Sequence, residues 1–294
     1  MNRKRRAALL SVCSNSVLIV AKLAVGLLTG AVSIISEAIH SAMDLVASLI
    51  AFFSVSRSDA PPDACHPYGH DKIENISGVM EALLILAASL WILLEAGSRL
   101  FAPEPLTGPG WGVLVMGGSA LVNVLVSRHL YRVAREEESL ALEADALNLK
   151  ADVLTSLGVS TGLLLIWGGM VLGWDLARLD PLVAIGVALF ILKEAAELLA
   201  RALRGLLDHR MEEGELDSLE ALLRERCPRG TGYHDLRSRQ SGRRRHIDFH
   251  LTVPPAMTVD RAHALCDELE EAILGLLPHA VVLIHVEPDS VHPL

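Results

Sequence analysis

Long apolar stretches alternate with short polar ones over about the first 200 residues of this chain. Each stretch is near or above the ~20 residues that a helix needs to cross the hydrocarbon core of a bilayer. The pattern predicts an α-helical membrane protein with six transmembrane helices, at roughly 7–28, 31–54, 78–100, 110–130, 144–172 and 181–200. We expect these helices to form one transmembrane domain over residues 1–207.

Basic residues are concentrated in alternate loops of this pattern. Basic residues occur at the chain start (Arg3 to Arg6) and after the second stretch (Arg57 and Lys72). They also follow the fourth stretch (Arg128 to Arg135) and the sixth (Arg201 and Arg204). The turn near Gly30 and the segment 101–110 carry none, and the remaining loop carries Arg178 alone. Because Lys and Arg favour the cytoplasmic side, both termini are expected in the cytoplasm. A soluble helical core would not produce this alternation.

The composition changes at about Asp208 to that of a soluble domain. An amphipathic helix is predicted at 211–226, two strands at 232–242 and 243–254, a helix at 258–277 and a third strand at 280–288. Thr258 is a plausible cap of the second helix. The order αββαβ indicates a small ferredoxin-like (α+β) sheet with two helices on one face, over residues 208–294.

Two polar pairs interrupt the apolar stretches. His40 and Asp44 lie in the second stretch, and Asn148 and Asp152 lie in the fifth. The spacing i, i+4 places both members of a pair on one helix face. An ionisable group at membrane depth is costly and needs a partner or a function. These four residues, here called the helix site, could form a tetrahedral site for a divalent cation. The alternative is an interhelical hydrogen bond, such as His40 with Asp152.

A second histidine cluster precedes the third stretch. Asp63, His66 and His70, here called the loop site, lie in the sequence DACHPYGHDK. Pro67 and Gly69 favour a loop, which need not place these side chains together. Metal binding and a plain polar loop are therefore both open.

Most of the remaining histidines lie in the second domain, where eight of the twelve occur. The strand period places alternate residues on one face. Imidazoles and carboxylates without thiolates suit Zn²⁺ and other first-row divalent ions. The residues that could converge are His234, His246, Asp248, His250, His263, His285 and Glu287. The alternative is a histidine-rich, solvated sheet face.

Charge and cysteine usage exclude several other functions. The formal net charge of −9 argues against a nucleic-acid partner, since the surplus of Lys and Arg is missing. The four cysteines form no CxxC pair, which disfavours a disulfide framework or thiolate zinc site. No HExxH or Walker A sequence is present, so an intramembrane metalloprotease or ATP-driven pump is not expected. No enzymatic activity is predicted.

Several motifs together resemble those of the cation diffusion facilitators, in particular bacterial zinc and iron exporters. They are HSAMD from His40, NLKAD from Asn148, HPYGHDKIE from His66, HDLRSRQSG from His234, and the spacing from His250 to His263 to His285. The likeness extends over nearly the whole chain, including the six stretches and the αββαβ order.

The resemblance implies a divalent metal efflux transporter driven by proton antiport, working as a homodimer in the lipid of the bacterial inner membrane. Zinc is the metal most expected, with iron, manganese and cobalt as alternatives. The helix site would be the transport site and the loop site a second metal site. A regulatory site, here called the sheet site, would comprise His234, His250, His263, His285 and Glu287.

The chain departs from the family pattern at two of these ligand positions. Asn148 stands where His or Asp is usual, and Glu287 where Asp is more frequent. An amide oxygen makes the helix site a harder donor set, which favours Mn²⁺, Fe²⁺ or Co²⁺, although the Irving–Williams order still favours Zn²⁺. A non-transporting metal sensor or scaffold, and a facilitative channel, remain alternative functions.

Overall fold

The computed structural model describes residues 2–29, 32–101, 111–171, 179–228 and 230–289. The chain divides into two compact units, Met1–Leu203 and Arg204–Leu294. Three segments used in the orientation argument, 30–31, 102–110 and 172–178, lie outside the described residues. Each unit is described by itself below.

Long helices make up the first unit. In the described ranges they are α1 (Arg3–Thr29), α2 (Val32–Ser58), α3 (Lys72–Phe101), α4 (Trp111–Glu136), α5 (Leu140–Val171) and α6 (Leu179–Leu206). They extend beyond most of the predicted apolar boundaries because backbone hydrogen bonding continues where the side chains become polar. Two described segments, Arg3–Leu28 and Lys72–Ser98, are long and apolar enough to cross a membrane. Six membrane crossings stay a prediction.

Small side chains bring the helices of this unit close together, and α5 is at the centre. Ala146 and Leu149 of α5 lie in a buried cluster with residues of α1, α2 and α4. Ala144 and Leu147 lie in a second cluster with Ala82 of α3 and residues of α6. Since both sides of α5 are covered here, Asp145 is fully buried, and Asn148 and Asp152 are half-buried.

The second unit contains two helices and a three-stranded sheet, in the predicted order αββαβ. They are α7 (Glu213–Arg226), β1 (Gly232–Ser241), β2 (Arg244–Val253), α8 (Val259–Leu276) and β3 (Ala280–Pro288). Strand β2 is central, antiparallel to β1 and parallel to β3. The predicted cap of α8 is confirmed, because the Thr258 side chain accepts from the Arg261 backbone N–H.

Side-chain alternation on β2 separates a core from a polar face. Ile247, Phe249 and Leu251 are buried against α7 and α8 in one hydrophobic cluster. His250 has the opposite parity and pairs in register with His234 of β1 and His285 of β3. The two helices therefore cover one face of the sheet, and the histidines occupy the other.

Candidate metal centres

The helix site lies where α2 and α5 run side by side in opposite directions. His40 Nε2 is 3.7 Å from Asp152 Oδ1. One turn along, Asn148 Nδ2 donates to Asp44 Oδ1 at 3.1 Å. The two helices are antiparallel, so the first residue of one pair contacts the second residue of the other. Because both pairs have the spacing i, i+4, the two contacts lie one helical turn apart. The structure thus brings the two predicted pairs together.

Three side chains of this site could ligate a cation directly. One ligand atom from each of His40, Asp44 and Asp152 lies within 4.8 Å of the other two. Zn–N and Zn–O bonds are about 2.0–2.2 Å, so donors of a bound ion lie somewhat over 3 Å apart. A small contraction of the site would therefore suffice. Asp44 is buried, Asp152 is half-buried and His40 is exposed, which leaves one side of the site accessible.

Asn148 is hydrogen-bonded to one of these three side chains. It donates its amide nitrogen to Asp44, and an amide N–H cannot bind a cation. In this position Asn148 orients the Asp44 carboxylate and leaves the second carboxylate oxygen for a ligand. Three side chains thus offer ligand atoms and one amide orients a carboxylate, while a fourth ligand at Asn148 stays a prediction.

Sequence reasoning missed several polar neighbours of the helix site. A cavity of about 50 Å³ is lined by Lys22, His40, Ser41, Asp44, Ser119, Ala120, Asn123, Asp152, Thr155 and Ser156. This volume holds only a few water molecules, so a cation would lose most of its hydration shell. The Lys22 ammonium donates to Ser41 Oγ at 2.7 Å. The sequence could have indicated a polar face on the first helix, since Asn15 and Lys22 are seven residues apart and share a helix face.

The loop site is assembled by backbone hydrogen bonds. Asp63 Oδ1 accepts from the backbone N–H groups of His66 at 2.7 Å and Cys65 at 2.9 Å. These bonds, led by that of His66, hold the pKa of Asp63 below its ordinary value. The carboxylate therefore stays ionised well below neutral pH and remains available to a cation.

Both loop histidines face this carboxylate. His66 Nδ1 is 3.2 Å from Asp63 Oδ1, and His70 Nε2 is 3.3 Å from Oδ2. His70 is buried, yet neither of its ring nitrogens has a well-formed hydrogen bond among the described residues. An unsatisfied buried imidazole next to a carboxylate fits a metal ligand. The loop thus places together three side chains whose proximity the sequence left open.

The sheet site is only partly assembled within one chain. Glu287 Oε1 lies 2.5 Å from His234 Nε2, and Glu287 Oε2 lies 3.4 Å from His250 Nδ1. Ligand atoms of these three residues lie within 4.8 Å of one another. His285 is exposed, with its ring centroid 4.7 Å from that of His250.

His263 stands apart from this cluster in the described structure. It lies on α8 with 77% of its side chain exposed, and its Nδ1 is 3.8 Å from Asp267 Oδ1 of the same helix. Helix α8 packs on the sheet face opposite the histidines, which explains the separation.

Comparison with known proteins gives matches over almost the whole chain. The family described as the cation efflux transmembrane domain matches residues 8–207, and that described as the cation efflux protein cytoplasmic domain matches residues 211–289. An uncharacterized transporter of Synechocystis, sll1263, is 34% identical over 91% of this chain and 84% of its own length. The cation-efflux pump FieF of Shigella flexneri is 32% identical over 98% of this chain and 94% of its own.

A solved structure of the zinc form of the transporter CzrB is also similar in part. It is 37% identical and covers 29% of this chain and 97% of that one, with a TM-score of 0.28.

Proposed function

Because the chain belongs to the cation efflux family of membrane transport proteins, we propose that it exports divalent transition-metal cations in exchange for protons. Zn²⁺ is the first candidate, and Fe²⁺, Mn²⁺ and Co²⁺ are the others. The observation that carries this proposal is the convergence of His40, Asp44 and Asp152 from two antiparallel helices. The protein would act as a multi-pass homodimer in the bacterial inner membrane with both termini in the cytoplasm.

Protons can drive export because they compete with the metal for the same atoms. An imidazole or carboxylate must be deprotonated to bind a cation, so metal binding releases protons. A site that opens to the more acidic side would be protonated there and would lose its metal. His40, Asp44 and Asp152 can each take part in this competition, whereas the amide of Asn148 cannot.

A flux assay in proteoliposomes tests this function directly. The full-length protein is reconstituted, a pH gradient is imposed, and uptake of Zn²⁺, Fe²⁺, Mn²⁺ and Co²⁺ is compared with that of protein-free vesicles. An antiporter moves metal against its gradient when the pH gradient is present. Flux that follows the metal gradient alone would indicate a channel, and no flux at all would indicate the sensor or scaffold.

The variant Asn148→His tests whether position 148 determines metal preference. An imidazole nitrogen is softer than an amide oxygen, so we expect the ratio of Zn²⁺ flux to Mn²⁺ flux to rise several-fold. The same assay with both ions measures it, and Asn123→His is the matched control because Asn123 lines the same cavity from α4. An unchanged ratio in Asn148→His would show that this position does not ligate the metal.

The variant Glu287→Ala tests the sheet site as a metal site of the homodimer. Glu287 contacts both His234 and His250. Its loss is expected to weaken metal binding there by at least about tenfold. Metal bound by the purified full-length protein is counted by equilibrium dialysis, and its dimerisation is followed by light scattering. Asp248→Ala is the control, since Asp248 is exposed on β2 and outside the metal cluster. Equal metal content in both variants would count against a sheet site.

A further inference from the structure

A large cavity of the first unit lies between α4, α5 and α6 and shares no lining residue with the cavity of the helix site. Its volume is about 920 Å³. On α5 its lining extends from Glu143 to Leu157, roughly 21 Å at 1.5 Å per residue. Charged side chains line the part near the turn between α4 and α5, whereas Val124, Val153 and Leu157 line the part further along these helices. The cavity is therefore polar at one end and apolar at the other.

Three arginines of α4 line the polar end. Arg128, Arg132 and Arg135 follow the spacing i, i+4, i+7, so they project from one face of the helix. All three are exposed, and no ion pair joins them to a carboxylate in the part of the chain that the structure describes. Their guanidinium groups are thus available to an anion.

The carboxylates of this cavity already pair with other cations. Each of its four glutamates contacts a basic residue: Glu136 with Arg3 at 2.6 Å, Glu143 with Arg201 at 2.7 Å, Glu194 with Lys150 at 3.0 Å, and Glu197 with Lys193 at 3.6 Å. The Lys150 ammonium also lies 5.9 Å and 5.1 Å from the ring centroids of Tyr131 and Phe190. The three arginines therefore form an uncompensated positive cluster, in a chain whose formal net charge is −9.

We propose that this cavity binds the phosphate headgroup of an anionic phospholipid and places an acyl chain along its apolar end. Guanidinium groups bind phosphate oxygens in bidentate pairs, and basic pockets between transmembrane helices at the cytoplasmic side suit lipid headgroups. Arg135 lies in the last turn of α4. The proposed topology places that turn at the cytoplasmic headgroups, so the inference rests on the proposed function.

Two other uses of the cavity fit its chemistry less well. An entry path for the metal ion would present uncompensated guanidinium groups to a divalent cation, which they repel. A small free anion such as inorganic phosphate would leave the apolar end unused, although Leu157 there is 54% exposed. A phospholipid accounts for both ends of the cavity.

Native mass spectrometry of the full-length protein in detergent tests the site, because one spectrum counts bound lipids and protein copies. Phosphatidylglycerol is titrated, and phosphatidylcholine with the same acyl chains is the neutral comparison. Wild type is expected to bind phosphatidylglycerol at least about tenfold more tightly than phosphatidylcholine. The triple variant Arg128→Gln, Arg132→Gln, Arg135→Gln, here called the cavity variant, should lose this preference.

The triple variant Arg5→Gln, Arg6→Gln, Arg57→Gln is the matched control. These three arginines are exposed, are predicted on the same side of the membrane and lie outside the cavity, so the preference should persist. The single variant Arg132→Gln should weaken phosphatidylglycerol binding about fivefold. It decides the question if the cavity variant misfolds, which a lower melting temperature without lipid would reveal.

Several results would overturn the proposal. Equal weakening in the cavity variant and the control would indicate attraction by charge alone. Displacement of the lipid by glycerol phosphate at equal concentration would indicate a site for a small anion. Loss of dimers with unchanged lipid binding in the cavity variant would indicate a surface for a second copy of the chain. The spectra need neither metal nor a pH gradient, so a negative result leaves the export function standing, and absence of metal flux leaves the lipid site standing.

Discussion

Replacing Asp152 by alanine should reduce pH-driven metal flux by more than about 100-fold, because the helix site then loses one of its two carboxylates. His40 would also lose its partner at 3.7 Å, and only Asp44 would remain to neutralise the ion. Loss of an outer hydrogen-bond partner of a metal ligand already costs about 10–100-fold, so loss of a ligand should cost more. The flux assay in proteoliposomes, at matched protein content, measures the effect.

The neighbouring variant Thr155→Ala is the control for this experiment. Thr155 lines the same cavity, but its hydroxyl donates to the backbone carbonyl of Asp152 at 3.0 Å and is used within its own helix. We expect it to retain most of the flux. Exchange at wild-type rates in Asp152→Ala would refute the assignment of the helix site as the transport site.

Glu74→Ala should be the most destabilising substitution in the first unit. Glu74 and Lys4 are 3% and 4% exposed and are joined by a 2.8 Å ion pair. The same carboxylate accepts from Ser58 at 2.8 Å and from Ser139 at 2.5 Å, so it connects α1, α2 and α3 to the start of α5. Removing one partner of a buried pair leaves an uncompensated charge and costs about 3–5 kcal/mol.

We place the expected cost of Glu74→Ala near about 3 kcal/mol, the lower end of this range, because Asp59 still lies 3.4 Å from the Lys4 ammonium. The apparent melting temperature of the purified protein in detergent should fall clearly. The double variant Lys4→Met with Glu74→Met is the control, because removing both charges is often close to neutral. A double variant as unstable as Glu74→Ala would show that the charge pair is not the cause.

Local sequence patterns were sufficient to predict much of the fold. The strand period of HIDFH separated His250 from Ile247 and Phe249, and the structure confirms this because the apolar residues are buried against two helices. The cap at Thr258 follows from a hydroxyl that satisfies a free N–H at the first turn of α8. Such features depend on residues close in sequence, which is why they could be predicted.

Contacts between helices were less predictable. The i, i+4 spacing identified the helix site, but it could not distinguish a ligand at Asn148 from an amide that orients Asp44. The burial of Glu81 and Asp145 likewise depends on packing between helices, which no local pattern predicts. The orientation of an amide and the partner of a carboxyl group depend on side chains that are distant in the chain.

The sequence by itself determined the apolar segments, the αββαβ order and the candidate ligands on helix and strand faces, because periodicity places neighbouring residues on shared faces. It indicated the loop site only by the closeness of its residues in the chain. Tertiary structure decided which groups converge. It brings His40, Asp44 and Asp152 within reach of one ion, gathers the loop site around the Asp63 carboxylate, and leaves His263 outside the sheet cluster. It also buries Glu81 and Asp145, since only packing between helices removes these carboxyl groups from water.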